Sequence, residues 1–364
     1  MADGKSRDAI VDMDTRGEGA VAQAFANQVA YCAKARAPIT ARVVQALGTL
    51  VEGGVPGAFL DRIRRWEGAP LADALPLRAA GGIHALRLAD TERALGAIYR
   101  GEPADDIDLI GGAIANHEAA LLPWLDGPPQ TNEAGRSASF MAAMLWLADR
   151  GLPARYECLE IGSSAGINLM MDRYTYNLGG VHAGAADPVM AFAPEWHGAP
   201  PPDRPVSFAA LKGCDVAPVD LTDPDQALRL RAYIWPEHTV RFQRMDAAIA
   251  AAKDRAPDLA QMNAAQFVEA ELAKPQDSRT TRVLMHSIVW QYVPKDQQAR
   301  VTAAMEAAGE RATAERPLAW IALEADRTVH RHALKVRYWP GGEAARQLAW
   351  SHPHGADIEW LSNG

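Results

Sequence analysis

The chain has 364 residues, 48% hydrophobic and 23% charged, enough for a sizeable core and an accessory domain. Its formal net charge of −8 argues against a broad nucleic-acid footprint, which needs clustered Lys and Arg, and favours a small-molecule substrate. Three cysteines, Cys32, Cys158 and Cys214, lack the spacing of a zinc site, and no signal core or run of ~18 apolar residues occurs, so no metal and no membrane are expected and the reducing cytoplasm is the expected compartment.

Residues 1–17 are charged and read as a frayed leader. From there to about Leu125 the pattern is helical: Val21, Phe25 and Val29 recur every four residues, as do Ile39, Val43 and Leu47, with breaks expected at Pro38, Gly53-Gly54 and Gly81-Gly82. No run of β-branched alternation interrupts it. The turn-rich Pro123–Pro129 then marks a boundary, giving an α-helical accessory domain over residues 1–128 and a second domain over 129–364. Asn132 opens a helix carrying Glu133, Arg136, Phe140, Met144 and Leu147.

An apolar strand from Tyr156 runs into Glu160-Ile161-Gly162-Ser163-Ser164-Ala165-Gly166 and is expected to continue straight into a helix. The glycines permit a tight turn and leave room for a ligand, while amides at a helix start offer unpaired donors. Tyr174–Tyr176 and Val189–Phe192 lie in a Gly/Pro-rich insertion and are expected to pair as a ribbon. Strand candidates at Pro205–Leu211, Arg282–Trp290 and Leu318–Leu323 alternate with helices from Phe242 to Lys253 and from Lys295, which predicts a mainly parallel sheet covered on both faces. His332–Trp339 and Leu348–His354, flanking Pro340–Gly342, read as a closing antiparallel hairpin.

The turn, with an acid two residues before its first glycine, resembles the first motif of class I S-adenosylmethionine-dependent methyltransferases, with Ser164 in place of the usual middle glycine. The same residues satisfy the G-x-S-x-G elbow of α/β-hydrolases, in which Ser164 is the nucleophile, although such a fold has strands and an oxyanion-hole loop before its elbow and none is found here. Taken with the blocks Asn132–Arg136, Lys212–Asp220, Trp235–Arg241, His286–Tyr292 and His354-Gly355, the turn looks like a prokaryotic family, domain of unknown function 2332, across nearly the whole chain.

The methyltransferase resemblance implies a Rossmann-like domain that binds S-adenosylmethionine and methylates a small molecule. On that resemblance Glu160, Gly162, Ser163, Ser164 and Gly166 form the cofactor turn and Asp215 takes the ribose hydroxyls. Asn263 accepts from the adenine amino group, and Arg136 holds the methionine carboxylate. His286 is the expected catalytic base and Glu133, over the site mouth, a second catalytic candidate, with Trp290 and Tyr292 as pocket walls. Each has a plainer alternative: a cap or turn role for Asp215 and Asn263, a surface ion pair for Glu133 and Arg136, and a hydrogen-bonded core histidine for His286. Trp235, His238 and Arg241 read as packing residues, and His352 and His354 lack the further ligands of a metal site. A hydrolase using Ser164 and a non-catalytic binder of adenosyl nucleotides are the competing functions.

Overall fold

The computed structural model describes residues 15–17 and 19–361, so the leader read at 1–17 lies mostly outside the described residues. The chain divides into two compact units, one running through Thr131 and including Leu228–Phe242, the other made of Asn132–Ala227 and Gln243 onward.

The first unit is built from α1 (Ala20–Lys34), α2 (Pro38–Glu52), α3 (Ala58–Arg64), α4 (Leu75–Leu88), α5 (Gly96–Tyr99) and α6 (Asp106–Leu121). The two four-residue stripes pack inward with Leu60, Ile63 and Ile83, as a 3.6-residue period requires of a half-buried helix. The expected break at Gly81-Gly82 is instead the middle of α4. Helix propensity is overridden by close packing there: a Cβ on Gly81 would lie 2.6 Å from a ring carbon of Tyr233, and one on Gly82 2.9 Å from Leu121 and 3.1 Å from Trp124.

Tyr233 belongs to Leu228–Phe242, a segment whose sequence position is far downstream but whose contacts are with these helices. His84 Nδ1 bonds to Ala232 O at 3.0 Å. Glu237 accepts from Ile39 N at 2.6 Å, Thr40 N at 3.0 Å and the Thr40 hydroxyl at 2.8 Å. This carboxylate serves as the cap that α2 lacks locally, since Ala37 at its N-cap has no side-chain oxygen and the first amides of a helix are otherwise orphaned.

In the second unit α7 (Ser137–Asp149) leads to β1 (Arg155–Ile161), then β2 (Tyr174–Leu178), β3 (Val181–Gly184), β4 (Met190–Phe192), β5 (Glu195–His197) and β6 (Ser207–Asp215). Then come α8 (Pro224–Ala232) and α9 (Thr239–Asp254), which share the Leu228–Phe242 segment of the first unit, followed by β7 (Asp258–Gln261), α10 (Ala264–Leu272), β8 (Thr281–Ser287) and α11 (Lys295–Gly309). The chain closes with β9 (Leu318–Asp326), β10 (Arg331–Trp339), β11 (Gly342–Ser351) and β12 (Asp357–Trp360). Nine strands form one sheet in the order β5-β12-β11-β10-β9-β8-β1-β6-β7, and it is parallel from β7 through β9. The result is a mixed α/β unit with a large, mostly parallel sheet.

The closing hairpin is present as β10 and β11, antiparallel to each other, and β10 is antiparallel to β9. The insertion forms a separate sheet in which Tyr174–Tyr176 pairs with Met190–Phe192 in parallel and β3 pairs antiparallel to β2.

From β1 the chain moves outward to β6 and β7 and then returns to the other side of β1 with β8 and β9. That reversal makes the carboxyl ends of β1 and β8 the topological switch point, where ligands of open α/β sheets bind. The amino end of the same pair is clamped: Arg282 donates to Glu157 at 2.8 Å and to the carbonyls of Glu271, Lys274 and Pro275.

Replacing Glu237 by Ala should destabilise the helical unit by about 1–2 kcal/mol, the usual cost of a lost cap, because three donors at the start of α2 lose their acceptor. Urea unfolding monitored by circular dichroism reads this; an unchanged midpoint would show that water replaces the carboxylate at no cost.

Candidate functional site

Three residues of the turn after β1 lie in the left-handed region: Gly162 at φ 67°, Ser164 at φ 53° and Gly166 at φ 70°. A backbone bent in this way cannot satisfy its own polar groups, and side chains from elsewhere in the unit do so. Asn132 donates from Nδ2 to Ser163 O at 2.6 Å and accepts from Ile167 N at 3.3 Å, spanning the turn. Asp215, at the end of β6, accepts from Ser164 N at 2.8 Å and Ala217 N at 2.9 Å. Ser163 N donates to Cys214 O, Gly166 N to Ser163 O, and Val219 N to Ser164 O.

Most of the amides expected to await a ligand are thus engaged within the chain. The expected α-helix after Gly166 is also replaced by a seven-residue 3₁₀ helix, Ile167–Arg173, tied down by Tyr174 Oη donating to Ile167 O at 2.7 Å. The open sides of the two glycines are occupied as well. A Cβ on Gly162 would meet Val289 Cγ2 at 2.2 Å, and one on Gly166 would meet Pro257 Cβ at 2.7 Å.

Polar capacity at the switch point therefore resides in side chains. Glu160 is 2% exposed and takes one hydrogen bond, from Asn168 Nδ2 to Oε1 at 2.8 Å. Its Oε2, the Ser164 hydroxyl and Asn168 Oδ1 are all buried with no hydrogen-bond partner. Burial pushes the Glu160 carboxyl from 4.5 up to about 7; the Asn168 bond, the nearby Ser163 hydroxyl and the charge of Arg136 oppose that rise and Asp215 adds to it. Ser163 is buried beneath Gly213, its hydroxyl donating to Glu160 O at 3.0 Å.

The remaining expected site residues fall in different surroundings. Glu133 and Arg136 precede α7 on a short 3₁₀ turn, and both are buried, so they are not a surface pair. Glu133 accepts from Gly135 N at 3.3 Å and faces Arg244 Nη1 at 3.4 Å, while Arg136 donates from Nε to Pro353 O at 2.8 Å. Asn263 ends the loop after β7 and caps α10, its Oδ1 accepting from Gln266 N at 3.0 Å; the sequence offers this cap because a short polar side chain precedes an apolar helical run. Asp215 likewise directs both oxygens to backbone amides, as a turn residue does.

His286 lies on the other face of the sheet. Glu160 pairs with Met285 in the parallel register, so these two side chains share a face and His286, the next residue, points to the opposite one. There His286 Nδ1 is 2.7 Å from Glu324 Oε1, its Nε2 accepts from the Trp320 indole at 2.9 Å, and Trp290 stacks on the ring. Because Nε2 accepts, Nδ1 carries the proton and donates to Glu324. Both nitrogens are used, which corrects its reading as a base: no lone pair is left to take a substrate proton.

Trp290 likewise packs into this group, and Tyr292 is 74% exposed, so neither forms the expected wall beside Glu160. Tyr156 is deeply buried and Tyr99 half-buried, and desolvation holds both phenols far above the ordinary range. Among the described residues, no group of three or more His, Cys, Asp or Glu could hold a metal ion, and no helix is long and apolar enough to cross a membrane. A cavity of about 250 Å³ lies beside Leu169, Met170 and the first half of β6, away from the carboxyl ends.

Asn132, Asn168, Glu324 and Val289 carried no assigned role in the sequence. Asn168 left a signal, as the lone amide in the apolar run Ile167–Met171. Asn132 left none beyond its place at the start of one of the family's blocks.

Comparison against protein families matches residues 22–360 to domain of unknown function 2332, described as an uncharacterized protein conserved in bacteria. The chain belongs to this family. No curated protein and no solved structure matches it. Membership spans both units and includes the Asn132, Glu160 and Asp215 blocks that build the turn.

The raised carboxyl of Glu160 gives a signed pH dependence. Between pH 4.5 and about 7 the unfolded chain releases this proton while the folded chain keeps it, so stability falls as pH rises through that window and levels off above it. Glu160→Gln, which keeps an oxygen for Asn168, should match the wild type near pH 4.5 and exceed it at pH 8 by on the order of 1–3 kcal/mol. Urea unfolding at the two pH values measures the difference; equal gaps at both would mean that Glu160 is solvated and titrates normally.

Proposed function

We propose that this protein binds S-adenosylmethionine at the carboxyl ends of β1 and β8 and transfers its methyl group to a small molecule. The observation that carries the reading is the set of buried, unpartnered acceptors at the switch point, Glu160 Oε2, Asn168 Oδ1 and the Ser164 hydroxyl. Leaving such atoms unsatisfied costs about 1–3 kcal/mol each, so their persistence favours a ligand rich in donors. The α-ammonium of the cofactor's methionine end is one, and the Arg136 guanidinium, whose charge is felt at Glu160, supplies the complement for its carboxylate. The strand order β7-β6-β1-β8-β9 and the Rossmann-like reversal at β1 support the same location.

Asp215 and Asn263 hold backbone amides, so the adenosine end would rely on the remaining lone pairs of these oxygens and on the loops after β6 and β7. His286 has no role as a base in this reading. Methyl transfer from a sulfonium needs chiefly in-line positioning, and Glu160, with its carboxyl near pH 7, is the group at the site able to take or return a proton.

One observation favours a hydrolase: Ser164 sits at φ 53°, the strained backbone that a nucleophile elbow requires. The histidine at the carboxyl end of β8 is committed to Glu324 and Trp320 on the opposite face, which removes His286, one of the candidate bases beside His352 and His354, from this reading.

Isothermal titration and thermal shift with S-adenosylmethionine and S-adenosylhomocysteine test the proposal. Ligand at about 100 times its Kd should stabilise the fold by about 2.7 kcal/mol, Glu160→Ala should abolish the shift, and Ser164→Ala should retain most of it. Absence of binding by either ligand at millimolar concentration would refute the cofactor. Labelling of Ser164 by a fluorophosphonate would instead establish the hydrolase.

A further inference from the structure

The glycine that opens the turn after β1 is covered by a side chain of this chain itself. Val289 Cγ2 lies where a Cβ on Gly162 would approach to 2.2 Å, so the isopropyl group rests on the bare face of that glycine. Val289 sits in a short link between β8 and the 3₁₀ turn Trp290–Tyr292. Its neighbour Ile288 has φ 53°, a left-handed conformation that a β-branched side chain strongly disfavours. Strain of this kind persists only where the surroundings impose it.

One oxygen imposes it. Glu324 Oε1 is 2.7 Å from His286 Nδ1 and accepts from Val289 N at 3.1 Å and Trp290 N at 3.2 Å. On either side the chain is anchored independently: Ile288 N donates to Leu323 O at 2.9 Å, and Gln298 Nε2 donates to Trp290 O at 2.8 Å and to Val293 O at 2.9 Å. The movable piece is thus Val289 with its flanking peptides, strained at Ile288, its amide and the next held by Glu324 Oε1 and its carbonyl accepting from Tyr292 N at 2.8 Å.

We infer that Val289 is a gate over Gly162, latched shut by Glu324, and that Ile288 is its hinge. Opening returns Ile288 to an extended conformation, which relieves its strain, and lifts Val289 off Gly162, which exposes the backbone face a cofactor would lie against. Glu324 acts through Val289 and is a positioning residue, and His286 orients Glu324. That a cofactor enters beneath the gate rests on the function proposed above; that the gate opens does not.

Hydrogen exchange detected by mass spectrometry on the full chain reads the gate without any ligand. In the wild type the amides of Val289 and Trp290 should exchange through a local opening, faster than those of β8 and β9 that flank them. Glu324→Gln should speed their exchange roughly tenfold while leaving β1 unchanged, and Ile288→Gly, which accepts the left-handed conformation without strain, should slow it. Exchange of Val289 and Trp290 at the rate of β8 in the wild type and in both variants would overturn the gate and leave a fixed structural turn.

S-adenosylhomocysteine then serves as the probe of access. Val289→Ala, which shortens the gate, should bind it with a faster association rate than the wild type. An unchanged rate with measurable binding would overturn the gate's role in access. If neither protein binds this ligand while Glu324→Gln still accelerates exchange, the gate stands and the cofactor reading fails.

Discussion

The turn from Ile161 to Ile167 can exist only because Asn132 and Asp215 hold it, and much else in the second unit depends on that constraint. Three left-handed residues in alternation leave amides and carbonyls that no regular element could pair. Asn132 bridges two of them from before α7, and Asp215 takes a third from the end of β6. One consequence is chemical. A turn most of whose donors are consumed is not an anion-binding nest, and the polar atoms left open at this switch point are on the side chains of Glu160, Asn168 and Ser164. A second consequence is mechanical, because fixing the turn from a neighbouring strand and a preceding loop makes it the rigid floor against which Val289 packs.

The strict alternation of strand side chains sorts the other polar residues. The face that carries Glu160 also carries Cys158 of the same strand and Met285 of β8; on the opposite face, Leu159, Ile161 and Leu284 pack against α10 and α11. His286 and Glu324 fall on this second face, beside Trp290 and Trp320. A buried imidazole with both nitrogens hydrogen-bonded leaves no unsatisfied polar atom, which explains how it is accommodated beside an apolar cluster. The two polar groups near the switch point are therefore separated by the thickness of the sheet although they are close in strand order.

This separation also marks how far the sequence can be read. The helical stripes through Phe25 and Val43, the parallel strands at β1, β6, β8 and β9, and the closing hairpin were legible because side-chain period reports backbone geometry directly. Gly81-Gly82 misled because local propensity carries no information about Tyr233, which arrives from far downstream to pack on the exposed backbone. The face assignment of His286 was equally inaccessible: a continuous apolar strand does not say which side it turns to which helix, and a shift of one residue reverses it. Glu160 was conspicuous as an acid inside an apolar strand, yet Asn168 and Val289, which determine what Glu160 and Gly162 can meet, are set by tertiary contact alone.

The same alternation that divides the faces is undone at a single point. Beyond Ser287 the strand ends, and Ile288 in its left-handed conformation breaks the period of two, so that Val289 emerges over the Gly162 turn while its amide still bonds to Glu324 from the other side. Through this one residue the His286–Glu324 pair is mechanically connected to a turn it does not touch. The chain covers its glycine with its own side chain, at the cost of a strained isoleucine, and joins this cover to His286 through one carboxylate oxygen that takes three of the hydrogen bonds around it.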